Sequence, residues 1–163
     1  MSNGTDTPQI AANNAHLIIF DPTVIILGPI DNCLERVWTR LTDFQSWPRW
    51  LGQYKEVNRL DTGELGRGSQ LRVFNGKATT WTITHFDADR RIDYQVHTRS
   101  KRLGYSYRLE PGVDSAHCKL SFAMEFQFLG LHALLSPIYS YIEQKRGYRR
   151  HQRLFADFIA DAE

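Results

Sequence analysis

The sequence predicts an α+β fold: an antiparallel sheet of seven strands, two short helices between the first and second strands, and a long C-terminal helix. Three observations carry this. From Tyr54 to Phe128 apolar and polar residues alternate with a period of two, interrupted at turn-forming residues. From Leu34 to Leu41, and again from Ile138 to Ile159, apolar residues recur at helical spacing, the second time over about seven turns. At 163 residues the chain is one domain, long enough to bury a sizeable core.

The first strand is Leu17–Leu27, rich in β-branched and aromatic residues, with Pro22 at an edge or a bulge. Pro29 breaks it, and Asp31 or Asn32 is placed to cap a helix. Glu35 stands three residues after Asn32, as in a capping box. Leu34, Val37, Trp38 and Leu41 form the stripe of this helix, which ends near Asp43. Phe44–Leu51 supplies one more helical turn, closed or kinked by Pro48. Three of the four tryptophans fall between residues 38 and 50. So much indole in a connection suggests a lid or wall over something apolar, or a staple holding the short helices to the sheet.

Six further strands follow: Tyr54–Leu60, Ser69–Phe74, Lys77–Phe86, Arg91–Arg99, Arg102–Leu109 and Ala116–Phe128. Asp61–Gly68 is a glycine-containing loop, and Pro111-Gly112 marks the last turn. Asn75-Gly76 is a hairpin signal. A strict two-residue turn there would put Leu71 and Val73 on the face opposite Trp81, so a three-residue loop with a glycine bulge is predicted. Directly opposed residues share a face. A loop at Asp87–Arg90 sets Trp81 opposite Val96, Ile83 opposite Tyr94 and His85 opposite Ile92. A two-residue turn at Ser100-Lys101 sets Val96 opposite Tyr105, Tyr94 opposite Tyr107, Ile92 opposite Leu109 and Asp93 opposite Arg108. Leu120, Phe122, Met124, Phe126 and Phe128 complete an apolar wall, and the other face is polar. Gly130 ends the last strand. Ser136-Pro137 then starts the long helix, whose stripe is Ile138, Tyr141, Ile142, Tyr148, Phe155, Phe158 and Ile159.

Composition is ordinary for a globular protein, with 42% apolar and 23% charged residues. A net charge of +2 gives no case for nucleic acid, and no apolar run is long enough to span a bilayer. Residues 1–15 read as a disordered leader, lacking the basic start and apolar core of a signal peptide. The single domain is 16–163. Cys33 and Cys118 lie far apart without metal-ligand spacing. They are expected to be free thiols in a reducing compartment, which points to the cytoplasm.

The arrangement resembles the START-like (SRPBCC, helix-grip) superfamily, specifically its polyketide cyclase/dehydrase and lipid-transport branch. The residues that carry the resemblance are Gly28-Pro29-Ile30, then Glu35-Arg36-Val37-Trp38, then Leu41-Thr42-Asp43-Phe44-Gln45-Ser46-Trp47-Pro48-Arg49-Trp50. Gly66-Arg67-Gly68-Ser69 before a strand fits, as does Trp81-Thr82-Ile83-Thr84 followed by Asp87, Arg91 and Ile92. The resemblance implies a sheet curved around the long helix with a cavity between them. It also implies binding of a lipid, polyketide or similar molecule, with only some members being enzymes.

The expected site is therefore a hydrophobic ligand cavity lined by Trp47, Trp50, Trp81, Ile83, Tyr94, Val96, Tyr105, Tyr107, Leu120, Phe122, Met124, Ile138, Tyr141 and Ile142. Tyrosine hydroxyls on the wall must find partners if buried, and a ligand's polar groups would supply them. No metal or cofactor is expected, because no histidines or cysteines pair at ligand spacing. The first alternative is an aromatase/cyclase-type enzyme using the same cavity. Strand parity puts His85 on the inner face, where it or a tyrosine could move a proton. The plainer reading of His85 is a strand-end histidine bonded to backbone or solvent. The second alternative is a membrane or RNA module using Lys145, Arg146, Arg149, Arg150, His151 and Arg153, which more simply form a solvated helix face. Asp87, Asp89 and Asp93 read as turn formers, since a calcium loop's glycine and glutamate are missing.

Overall fold

The computed structural model describes residues 17–19, 23–27 and 29–129. The predicted leader, the C-terminal helix with Ile138, Tyr141 and Ile142, and its basic band lie outside the described residues. The strands are β1 (Leu17–Ile19), β2 (Thr23–Leu27), β3 (Glu56–Arg59), β4 (Gln70–Phe74), β5 (Ala78–Asp87), β6 (Arg91–His97), β7 (Lys101–Pro111) and β8 (Cys118–Phe128). They form one antiparallel sheet in the order β1-β8-β7-β6-β5-β4-β3, with β2 also paired to β8. Among the described residues there are thus eight strands where the sequence predicts seven. The predicted first strand is present as two stretches on the same partner. Their registers differ by one residue: Ile19 faces Glu125, and Thr23 faces Phe122.

Between β2 and β3 lie helix α1 (Cys33–Thr42), a 3-10 turn (Phe44–Ser46) and a single turn α2 (Trp47–Trp50). The apolar stripe of α1 buries Cys33, Val37, Trp38 and Leu41. Asn32, one of the two predicted candidates, is the N-cap residue, but no capping box forms. Asn32 sits in the left-handed region (φ 53°), and its side chain makes no capping hydrogen bond. The loop between β7 and β8 substitutes for it, accepting the Cys33 N–H at the Ser115 carbonyl and the Ile30 N–H at the Ala116 carbonyl.

The same corner holds the largest departure from expectation. Cys33 and Cys118 are not free thiols; they form a disulfide that closes a sequence separation of 85 residues. Both residues are fully buried. The bond ties the first residue of α1 to the first residue of β8, and with it falls the thiol-based argument for a reducing compartment.

The hairpins are close to the predicted registers, with instructive shifts. The β4–β5 loop has three residues between Phe74 and Ala78, with Gly76 at φ 71°, so Leu71 pairs with Trp81 and the two share a face, as predicted. Trp81–Val96 and Ile83–Tyr94 are also paired as predicted. A bulge between Ile83 and His85 then moves His85 opposite Asp93 and brings Phe86 opposite Ile92. The β6–β7 turn falls one residue earlier than predicted, with Thr98 N–H donating to the Lys101 carbonyl. Partners therefore move by two residues, which keeps every side chain on its face. Tyr94 faces Tyr105, Ile92 faces Tyr107 and Val96 faces Leu103. Asp93 consequently meets Ser106 rather than Arg108, and accepts hydrogen bonds from Ser106 and Arg91.

The Gly66-Arg67-Gly68-Ser69 stretch extends the β4–β5 pairing. Gly68 N–H donates to the Ile83 carbonyl, and Ile83 N–H donates to the Ser69 carbonyl. Gly68 does this at φ 93°, which a residue with a side chain adopts only under strain.

Loop-closure entropy for a loop of this length makes the disulfide worth about 4 to 5 kcal/mol, within the roughly 2 to 5 kcal/mol typical of native bridges. The Cys33→Ser, Cys118→Ser and double variants should each lose a similar, large part of the stability in urea titrations. Reductant should lower the wild-type midpoint toward theirs and leave theirs unmoved. A wild-type midpoint insensitive to reductant would contradict the bond.

Candidate functional site

The inner face of the sheet is assembled in rows by cross-strand register. Ile83, Tyr94, Tyr105 and Met124 form one row across β5 to β8. Trp81, Val96, Leu103 and Phe126 form the next, and Phe86, Ile92, Tyr107 and Phe122 a third. Trp81, Ile83, Tyr94, Val96, Tyr107, Leu120, Phe122 and Met124 are all buried, and Tyr105 is half-buried. Trp81 and Tyr105 stack in parallel, 4.8 Å apart with 4° between their planes. Tyr107 leans on Phe122 at 4.9 Å.

Trp47 lands on this surface from α2. Its ring lies 5.4 Å from Tyr94 and 6.1 Å from Trp81, both near edge-on, and Phe44 flanks it at 5.4 Å. Trp50 and Tyr54 complete its surroundings at 6.2 and 6.3 Å. The local sequence explains the placement. Pro48 suits the first turn of a helix, where its fixed φ helps and its missing N–H costs nothing. Trp47 and Trp50, three residues apart, then share a side of that turn. The Trp47 indole N–H donates to the Leu41 carbonyl at 3.1 Å, satisfying an acceptor in the last turn of α1. With 1% and 2% exposure, Trp47 and Trp50 staple the short helices to the sheet.

Two phenols stand out electrostatically. Burial pushes the Tyr94 hydroxyl well above the usual phenol range, with Tyr107 and Asp93 adding to it. Burial does the same to Tyr107, reinforced by Tyr105. Both are neutral hydrogen-bond donors. The Tyr94 hydroxyl is buried and has no hydrogen-bond partner among the described residues.

His85 is corrected. The bulge between Ile83 and His85 rotates it off the inner face, and it is exposed. Phe86 turns inward in its place and packs on Trp38 at 5.6 Å. Asp89 occupies a left-handed turn position, as expected of a turn former, whereas Asp93 lies within β6 and is held there by Arg91. Among the described residues no group of His, Cys, Asp and Glu could hold a metal ion. The sequence reading missed Phe44 and Phe86. Phe44 was legible through its three-residue spacing from Trp47; nothing in the sequence marks the bulge that turns Phe86.

A cleft of about 530 Å³ lies elsewhere, along the polar side of α1, lined by residues including Asn32, Glu35, Arg36, Arg40, Asp43 and Arg49. None of the predicted site residues is among the described residues that line it.

An open antiparallel sheet with short helices packed on an aromatic inner face is the architecture of a START-like α+β domain. The family model described as polyketide cyclase/dehydrase and lipid transport matches residues 30–138, and the chain belongs to that family. Among solved structures, it is similar to an aromatase/cyclase from a Streptomyces species, at 15% identity and a TM-score of 0.67 over 90% of this chain and 94% of that one. It is also similar to norcoclaurine synthase from Thalictrum flavum in complex with dopamine and hydroxybenzaldehyde, at 10% identity, a TM-score of 0.63, and 100% and 98% coverage. A START superfamily protein from Mycobacterium smegmatis aligns at 14% identity with a TM-score of 0.55, covering 85% and 99%. At these identities the likeness is one of fold. No curated protein matches the chain significantly by sequence.

Replacing Trp47 by alanine should cost about 3 to 5 kcal/mol, the range for a large buried aromatic. Trp47→Phe keeps a ring but leaves the Leu41 carbonyl without its donor, and should cost about 1 to 3 kcal/mol. Chemical denaturation measures both. Equal stability of wild type and Trp47→Ala would contradict the role assigned to this ring.

Proposed function

We propose that the chain binds a hydrophobic or aromatic small molecule, a lipid, polyketide or similar, against the inner face of the sheet and beneath the predicted C-terminal helix. One observation carries this: an unbroken aromatic and aliphatic surface across β5 to β8 that also presents tyrosine hydroxyls. Ligand sites combine apolar walls with a few placed polar groups in this way. Apolar burial supplies the affinity, Tyr94, Tyr105 and Tyr107 orient polar groups, and Trp47 and Trp50 close the end of the site nearest the short helices. Membership of a polyketide cyclase/dehydrase and lipid-transport family supports the ligand class. No described helix is long and apolar enough to cross a membrane.

The aromatase/cyclase reading is weaker on this chain's own residues. Its best candidate for moving a proton, His85, is exposed, and burial raises the Tyr94 and Tyr107 phenols further above the physiological range, which disfavours either as a base. A binding function needs no proton transfer.

Titration with the apolar fluorophore N-phenylnaphthylamine tests the reading. Binding should saturate at one probe per chain and quench tryptophan emission, because three of the four tryptophans, Trp47, Trp50 and Trp81, border the proposed site. Absence of saturable binding would overturn it.

A further inference from the structure

Buried tyrosine hydroxyls ordinarily find a hydrogen-bond partner. Tyr94 does not: its hydroxyl is buried without one among the described residues. It lies in the middle row of the inner face, between Ile83 and Tyr105. Its ring neighbours are Trp47, Trp81, Tyr107 and Phe44, at 5.4, 6.1, 6.2 and 6.4 Å. These rings supply apolar contact, and none of the described residues accepts the hydroxyl's hydrogen bond. A fold gains nothing from an unpaired buried hydroxyl, and phenylalanine would fill the same volume without the penalty. Groups left unsatisfied in this manner are expected where a ligand completes them.

We propose that the Tyr94 hydroxyl is the specificity donor of the inner face, selecting a neutral carbonyl-type oxygen on an otherwise apolar molecule. The inference rests on the reading of that face as a ligand site. The chemistry of the surroundings narrows the acceptor. A carboxylate would be buried among rings that offer no countercharge, which is costly. A cation could rest on the aromatic faces, but it offers no acceptor to the hydroxyl. A ketone, quinone or ester oxygen accepts the hydrogen bond and brings no charge with it. The class of ligand is therefore an aromatic or polycyclic compound bearing such an oxygen. Tyr94 acts by orienting and selecting, and no bond is made or broken.

Two probes with the substituent at the same ring position, acetylnaphthalene and ethylnaphthalene, differ by one carbonyl oxygen. Their affinities are measured on the full chain and on Tyr94→Phe. The variant should bind the ketone roughly tenfold more weakly than wild type does, and the hydrocarbon equally well. Its melting temperature should rise by about 2 to 8 °C, because an unpaired buried hydroxyl has been removed. Infrared spectra of the ketone on wild type, independent of any variant, should show the C=O stretch lowered relative to the probe in hydrocarbon solvent. If both probes bind and the variant treats them as wild type does, Tyr94 is not the donor, while the inner-face reading stands. An unshifted stretch or a lowered melting temperature overturns the inference in the same way. If neither probe binds wild type, the inner-face reading itself fails and takes this one with it.

Discussion

The docking of Trp47 onto the inner face of the sheet is the contact on which the rest of the site depends. One side chain meets rings from β5, β6 and the adjoining turns, and its indole N–H closes the last turn of α1. Removing it would release the 3-10 turn, α2 and the C-terminal end of α1 together. The other end of α1 is fixed independently by the Cys33–Cys118 bridge and by carbonyls of the β7–β8 loop. The helix is thus pinned at both ends, once covalently and once by aromatic packing. The surface it leaves across β6 to β8 has fixed walls.

Those walls combine two properties that normally oppose each other. Aromatic packing buries the Tyr94 and Tyr107 phenols, and that burial pushes both above the usual phenol range. A neutral phenol in a dry surrounding is a strong donor with few alternatives, so an acceptor delivered there is rewarded more than it would be in water.

Much of the sheet was legible in the sequence, because a period of two survives small errors in turn placement. The β6–β7 turn falls one residue earlier than predicted, yet Tyr94, Tyr105 and Tyr107 keep their face, since the partners move by two. The Asn75-Gly76 loop was legible in detail because burial of Leu71 and Val73 allowed only one loop length. His85 was misplaced because a bulge at an ordinary Thr-His step carries no glycine or proline to announce it. The disulfide was illegible for a different reason: two cysteines 85 residues apart match no spacing rule, and only the seating of the start of α1 against the β7–β8 loop brings them together. The tryptophan cluster was visible at once. Whether it capped or stapled depended on ring positions that composition does not carry.

An apolar ligand seated on the inner sheet face, as proposed, would leave the polar cleft along α1 empty. Amide chemical-shift mapping with acetylnaphthalene separates the two places on one molecule. The largest shifts should fall at Trp81, Ile83, Tyr94, Val96, Tyr105 and Tyr107. Shifts confined to Asn32, Glu35, Arg36, Arg40 and Asp43 would contradict it.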